Sequence, residues 1–144
     1  YDRKSYSGYV LNFGESPIAW ESKKQNVVSL SHMKAEYIAM CQGAKEVVFQ
    51  RSLLNEMGFG DNADAATTIY CDNQGAQFLV KNPSVHKRSK HIDIRFHYIR
   101  EKYIDGAIDI EYVPSSDNAA DILTKSLTKE KHVNCCKLLN ICFK

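Results

Sequence analysis

Three carboxylates stand where chain elements begin or end. Glu36 lies near the start of a helical segment (Ser31-His-Met-Lys-Ala-Glu36-Tyr-Ile-Ala), and Asp72 closes an apolar run (Thr68-Ile-Tyr-Cys-Asp72-Asn73). Asp121 opens a second helical segment (Asn118-Ala-Ala-Asp121-Ile-Leu-Thr-Lys125). Short acidic side chains at element ends are held stiffly and can converge on one point. There they offer the hard oxygen ligands that Mg²⁺ takes in a near-octahedral shell. Two such ions about 3.5–4 Å apart orient an attacking water and neutralise a departing oxygen with no covalent intermediate. Taken singly, each residue has a plainer account. Asp121 suits the third position of a helix capped by Asn118, Glu36 is a helix-start acid, and Asp72-Asn73 is a strand-to-helix cap. Asp109 and Glu111 fit the wet face of a strand and are left out.

The elements that must position these groups follow from periodicity. Tyr9-Val-Leu-Asn-Phe13 alternates into the turn Gly14-Glu-Ser-Pro17, so residues 6–22 read as a β-hairpin. Apolar residues then recur at Tyr37, Met40, Cys41, Ala44, Val47, Val48 and Leu54, which predicts an amphipathic helix from Met33 to Met57. Ser31 is its expected N-cap and Gly58 its C′ residue. Thr67–Cys71 reads as a buried strand and Gln74–Lys81 as a short helix stopped at Asn82-Pro83. Ile92, Phe96, Ile99 and Tyr103 mark a helix ended by Gly106, and Ile108–Tyr112 marks a strand. A short helix through Lys125 and a last one over Lys129–Leu139 complete the chain. Antiparallel hairpin first, strand–helix alternation after, the order predicts a mixed α/β sheet with helices on its faces.

At 144 residues, 44% hydrophobic and 25% charged, the chain is expected to be one globular domain, residues 1–144, with a helical tail over 126–144. No apolar run approaches the roughly 20 residues of a membrane span, and Tyr-Asp-Arg-Lys-Ser lacks the apolar stretch of a secretory signal. With Tyr1 in place of an initiator Met, the chain reads as a piece of something longer. Five cysteines without a Cys-x-x-Cys pair fit a reducing compartment. Cys41 and Cys71 fall in apolar segments and read as small buried side chains. His132 and Cys136, four apart, could seat a metal but lack a second ligand pair.

Net charge is +2, yet Lys81 to Lys102 holds seven Lys or Arg against Asp93 and Glu101. His86, His91 and His97 fall in the same stretch. Alone, such a run is a solvated helix face; beside converging acids it suggests a polyanion held next to a metal.

Seven segments, in order, resemble the ribonuclease H domain of copia-type LTR retrotransposon Pol polyproteins. They are Arg3-Lys-Ser-Tyr-Ser-Gly-Tyr9, Pro17-Ile-Ala-Trp20 with Ser22-Lys-Lys-Gln25, Ala35-Glu36-Tyr-Ile-Ala39, Ile69-Tyr-Cys-Asp72-Asn73, Lys90-His-Ile-Asp-Ile-Arg95, Glu111-Tyr-Val-Pro114 and Ala120-Asp-Ile-Leu-Thr-Lys125. The resemblance implies a ribonuclease H-like fold with a mixed five-stranded sheet and helices on both faces. It implies metal-dependent cleavage of the RNA strand of RNA–DNA hybrids during reverse transcription, in the cytoplasm within a virus-like particle or in the nucleus. The catalytic, metal-holding residues are then Glu36, Asp72 and Asp121, with two Mg²⁺ expected and Mn²⁺ as a substitute.

The family's first Asp lies on a first strand that precedes the Arg-Lys-Ser segment, and Asp2 does not take its role. A chain without that strand is expected to be N-terminally truncated. The alternative is therefore an inactive remnant that at most binds nucleic acid. Asn73 and Gln74 suit 2′-hydroxyl contacts in a minor groove. Lys87, Arg88, Lys90 and Arg95 suit phosphates, with His91 the nearest family-matched histidine. The expected partners are the hybrid and a flanking reverse-transcriptase domain, and no membrane.

Overall fold

A computed structural model describes residues 6–25, 32–60, 65–82 and 93–141. It contains β1 (Tyr6–Phe13), β2 (Ser16–Lys24), α1 (His32–Glu56), β3 (Thr67–Cys71), α2 (Gln74–Lys81), α3 (Asp93–Ile104), β4 (Ile108–Tyr112), a 3₁₀ turn (Ala119–Leu123) and α4 (Lys129–Leu138). The expected capping residue Ser31 and helix position Ile92 lie outside the described residues.

The helices end where local chemistry dictates. Gly58 (φ +86°) and Gly106 (φ +72°) take up the left-handed backbone that terminates α1 and α3. Their neighbours cap the open carbonyls, Phe59 N–H on Leu54 and Ala107 N–H on Lys102. Asn73 caps α2 by accepting from the Ala76 N–H at 3.0 Å. The segment after Asn118 departs from the expected helix. It is a five-residue 3₁₀ turn, with the Asn118 side chain on the Ala120 N–H and the Thr124 N–H returning to the Asp121 carbonyl.

The expected single mixed sheet is replaced by two separate two-stranded sheets among the described residues. β1 and β2 are antiparallel, with Tyr9 opposite Glu21 and Val10 opposite Trp20. β3 and β4 are parallel, from Thr67 beside Ile108 to Cys71 beside Tyr112. Among the described residues, each of β1 and β3 therefore pairs along one edge only. The reason the sheets do not join is space: a cavity of about 550 Å³ separates the edges, lined by Gly8–Asn12 on one side and Thr67–Cys71 on the other. Met40, Gly43 and Val47 of α1 border it as well.

α1 serves both sheets. Its face Tyr37, Met40, Cys41, Ala44 and Val47 is buried with Cys71, Ala76, Val80, Phe96, Ile99, Ile108 and Ile110 in one core, in the three-and-four spacing read from the sequence. Gly43 of α1 lies against Tyr9, while the preceding strand residue, Gly8, has Leu123 where a Cβ would stand. The hairpin is thus covered by α1 on one face and by the 3₁₀ turn on the other, with α4 packed on that turn. Among the described residues, no helix is long and apolar enough to cross a membrane.

Candidate metal centre

Glu36 projects from an early turn of α1, and Asp72 follows the last residue of β3. Strand alternation turns Cys71 into the core, where it is 6% exposed, and leaves Asp72 half-buried at the rim. A carboxylate oxygen of Glu36, one of Asp72 and the Cys71 Sγ all lie within 4.8 Å of one another. Oxygens sharing one Mg²⁺ at about 2.0–2.1 Å each can be no more than about 4 Å apart, so small rotations close the pair on an ion. Two carboxylates with the remaining positions filled by water is a normal Mg²⁺ shell, and these donors fit it.

Asp72 is oriented from a third element. The Ser115 hydroxyl, in the loop after β4, donates to Asp72 Oδ2 at 2.7 Å. Beside it, burial pushes the Cys71 thiol up to about 11, and the Glu36 and Asp72 carboxylates push the same way. The Asn73 N–H on its sulfur, at 3.4 Å, acts in the opposite sense. At neutral pH Cys71 is therefore a protonated, packed side chain.

Asp121 is not in this cluster. Its side chain is 8% exposed, and its Oδ2 lies 2.9 Å from Lys125 Nζ and 2.5 Å from Lys131 Nζ. It shares with Glu36 the wall of a small cavity of about 20 Å³, together with Gly8, Ala35, Ala39 and Ala120. Of the three expected ligands, then, two converge, and the third lies outside their cluster, engaged by lysines.

Of the expected nucleic-acid residues, Asn73 is half-buried with its side-chain oxygen committed to the α2 cap, and Gln74 opens that helix exposed. Arg95 is exposed on α3. Lys87, Arg88, Lys90 and His91 lie outside the described residues. The Cys136 Sγ and His132 Nδ1 are 3.8 Å apart, as their spacing predicts. Sequence reading missed Ser115, Cys71 as a neighbour of both acids, and the two lysines. Lys125 was legible as the i+4 partner of Asp121; Lys131 and Ser115 reach the site from other elements, which spacing cannot show.

No family model matches the chain, and no solved structure does. It is similar to the retrovirus-related Pol polyprotein from transposon TNT 1-94 of Nicotiana tabacum, 38% identical over 97% of this chain and 10% of that protein. It is also similar to those from transposons RE1 and RE2 of Arabidopsis thaliana, each 40% identical, over 92% and 89% of this chain and 9% of each relative. The chain spans about a tenth of the length of these relatives.

Proposed function

We propose that this homologue of plant-transposon Pol polyproteins is a ribonuclease H-like domain that hydrolyses the RNA strand of RNA–DNA hybrids. The observation that carries the reading is the convergence of Glu36 and Asp72, from a helix start and a strand end, within 4.8 Å. The similarity to Pol polyproteins over nearly the whole chain supplies the context, because reverse transcription leaves such hybrids to be removed.

The cavity between the β1 and β3 edges supports the fold reading. Bare strand edges facing each other across one gap suit a single extended segment hydrogen-bonded to both. A strand from outside residues 1–144 seated there would join the two pairs into one five-stranded mixed sheet. If it bears a carboxylate beside Asp72, it completes the ligand set.

Two Mg²⁺ ions, with Mn²⁺ as a substitute, would supply Lewis-acid stabilisation of the phosphoryl oxygens and of the attacking and departing groups. The chain's own residues set the geometry. Asp72 is fixed by the end of β3 and by the Ser115 hydroxyl, and Glu36 by the backbone of α1. Asp121 would complete the set from the 3₁₀ turn. The Asn73 side-chain oxygen is used in capping, which leaves its amide N–H₂ to meet a 2′-hydroxyl beside Gln74. Lys87, Arg88, Lys90 and Arg95 would hold the phosphate backbone with His91 among the residues at the nucleic acid, and a flanking reverse-transcriptase domain would share the hybrid. The setting would be the cytoplasm, in a virus-like particle, or the nucleus.

The test is cleavage of a labelled hybrid with Mg²⁺ or Mn²⁺, comparing Asp72→Asn with the parent in a polyprotein segment that includes upstream residues. Losing a residue that only orients a metal ligand costs about 10–100-fold, so losing a direct ligand should lower the rate by at least about 100-fold. Equal cleavage by both proteins would overturn the site. Salt-sensitive binding without cleavage by the parent would favour the inactive, nucleic-acid-binding remnant.

A further inference from the structure

Asp121 carries more positive charge than a structural carboxylate needs. Lys125, one turn further along, is a local partner with a side chain 54% exposed. Lys131 comes from α4, is only 25% exposed, and meets the same Oδ2. It stands in the first turn of α4, whose cap Thr128 accepts from the Lys131 N–H at 3.4 Å. A helix start is the wrong end for a cation, because the macrodipole is positive there. The placement of Lys131 therefore does nothing for α4 as a helix; what it gains is Asp121.

Two ammonium groups on one oxygen also repel each other, so a third cation can displace one of them. Asp121 and Glu36 both line the cavity of about 20 Å³, which is bounded also by Gly8, Ala35, Ala39 and Ala120. Such a space holds about one water-sized particle, and an ion entering it meets Glu36 and Asp121 together.

We propose that Lys131 is a positioning residue that serves as the resident counter-ion of Asp121, and that a divalent ion entering beside Glu36 exchanges with it. The lysine then turns to solvent, and α4 loses this ion-pair anchor to the 3₁₀ turn. Lys131 thus sets a threshold for metal binding and couples metal occupancy to the docking of α4. This rests on the reading of Glu36, Asp72 and Asp121 as metal ligands.

The experiment measures Mn²⁺ binding by calorimetry and amide exchange of residues 129–138 with and without Mn²⁺, on the same polyprotein segment. Lys131→Met keeps the apolar stem and removes the charge. It should bind Mn²⁺ about tenfold more tightly, within the usual range for coupled equilibria. Lys131→Arg should restore parental affinity. In the parent, Mn²⁺ should speed exchange in α4; in Lys131→Met, α4 should already exchange fast and ignore the ion. A merely structural lysine would give unchanged or weaker binding, which overturns the inference. Asp72→Asn separates the two readings. If it leaves Mn²⁺ affinity intact, the metal centre itself is wrong. If it weakens binding while Lys131→Met changes nothing, only the role of Lys131 fails. Should Lys131→Met not fold, the response of parental α4 to Mn²⁺ decides alone.

Discussion

The Tyr37 hydroxyl of α1 donates to the Ala76 carbonyl of α2 at 3.0 Å, inside the core. Tyr37 is 2% exposed, and burial raises its hydroxyl well above the usual phenol range, so it remains a neutral donor. The bond ties the helix that carries Glu36 to the helix that Asp72-Asn73 opens. Tyr37→Phe keeps the ring and its edge contact with Phe96 but deletes the donor. It should lower stability by about 1 kcal/mol, the net worth of one buried hydrogen bond. Urea denaturation with an unchanged slope would show this, and an unchanged midpoint would argue that the bond does not form.

The thiol of Cys71 gives the fold an alkaline limit. Its folded value, about 11, lies above the ordinary 9.0. The folded protein then holds a proton that the unfolded chain gives up between those values. Stability should be level below about pH 9 and fall as pH rises toward 11, by on the order of 2 kcal/mol from this group. Burial shifts Cys41 and Cys135 in the same direction. Cys71→Ala should flatten the decline between pH 9 and 11 measured by denaturation; an unaltered slope would assign it to other groups.

Ser115 tests whether the orientation of Asp72 matters separately from its charge. The serine is exposed, so Ser115→Ala should leave stability within about 0.5 kcal/mol. Divalent-ion affinity should nevertheless fall about tenfold, the lower end for lost outer-shell partners. Titration calorimetry with Mn²⁺ checks this, and equal affinity would confine Ser115 to the loop.

Gly8 is set against the 3₁₀ turn at a distance that admits no side chain. A Cβ there would come within 2.9 Å of Leu123 Cβ and 3.0 Å of the Glu21 carbonyl. Gly8→Ala should cost about 1–3 kcal/mol through overpacking and shift the Asp121 turn away from Glu36. Thermal melting gives the first effect. An unperturbed melting temperature would mean the turn yields freely.

The elements were legible in the sequence because their signals are local. The alternation before Gly14-Glu-Ser-Pro17, the three-and-four spacing of Tyr37 to Val47 and the Asn73 cap each depend on a few neighbouring residues. The α2 and β4 limits fall where composition put them. Legibility failed where distant parts meet. Asp121 looked equivalent to Glu36 and Asp72, yet it lies outside their cluster and pairs with Lys125 and Lys131; the Lys131 contact depends on how α4 packs on the 3₁₀ turn. The 3₁₀ geometry of Ala119–Leu123 also escaped, because Asn118 bonds to Ala120, one residue earlier than an α-helical capping box requires. The joining of the two sheets was read from the order of elements and from family resemblance, and it depends on whatever occupies the gap between β1 and β3.

The parallel pairing of β3 with β4 has a kinetic side. The β1–β2 hairpin closes over a two-residue turn, whereas Thr67 must find Ile108 across all of α2 and α3. Closing so long a loop is slow relative to hairpin and helix formation, and it precedes any gain from the contacts it brings. Asp72 sits at the end of β3, and Ser115, which orients it, follows β4. The Asp72–Ser115 pair is therefore expected to form late in folding, after the helices and hairpin, and to separate first when β4 leaves β3.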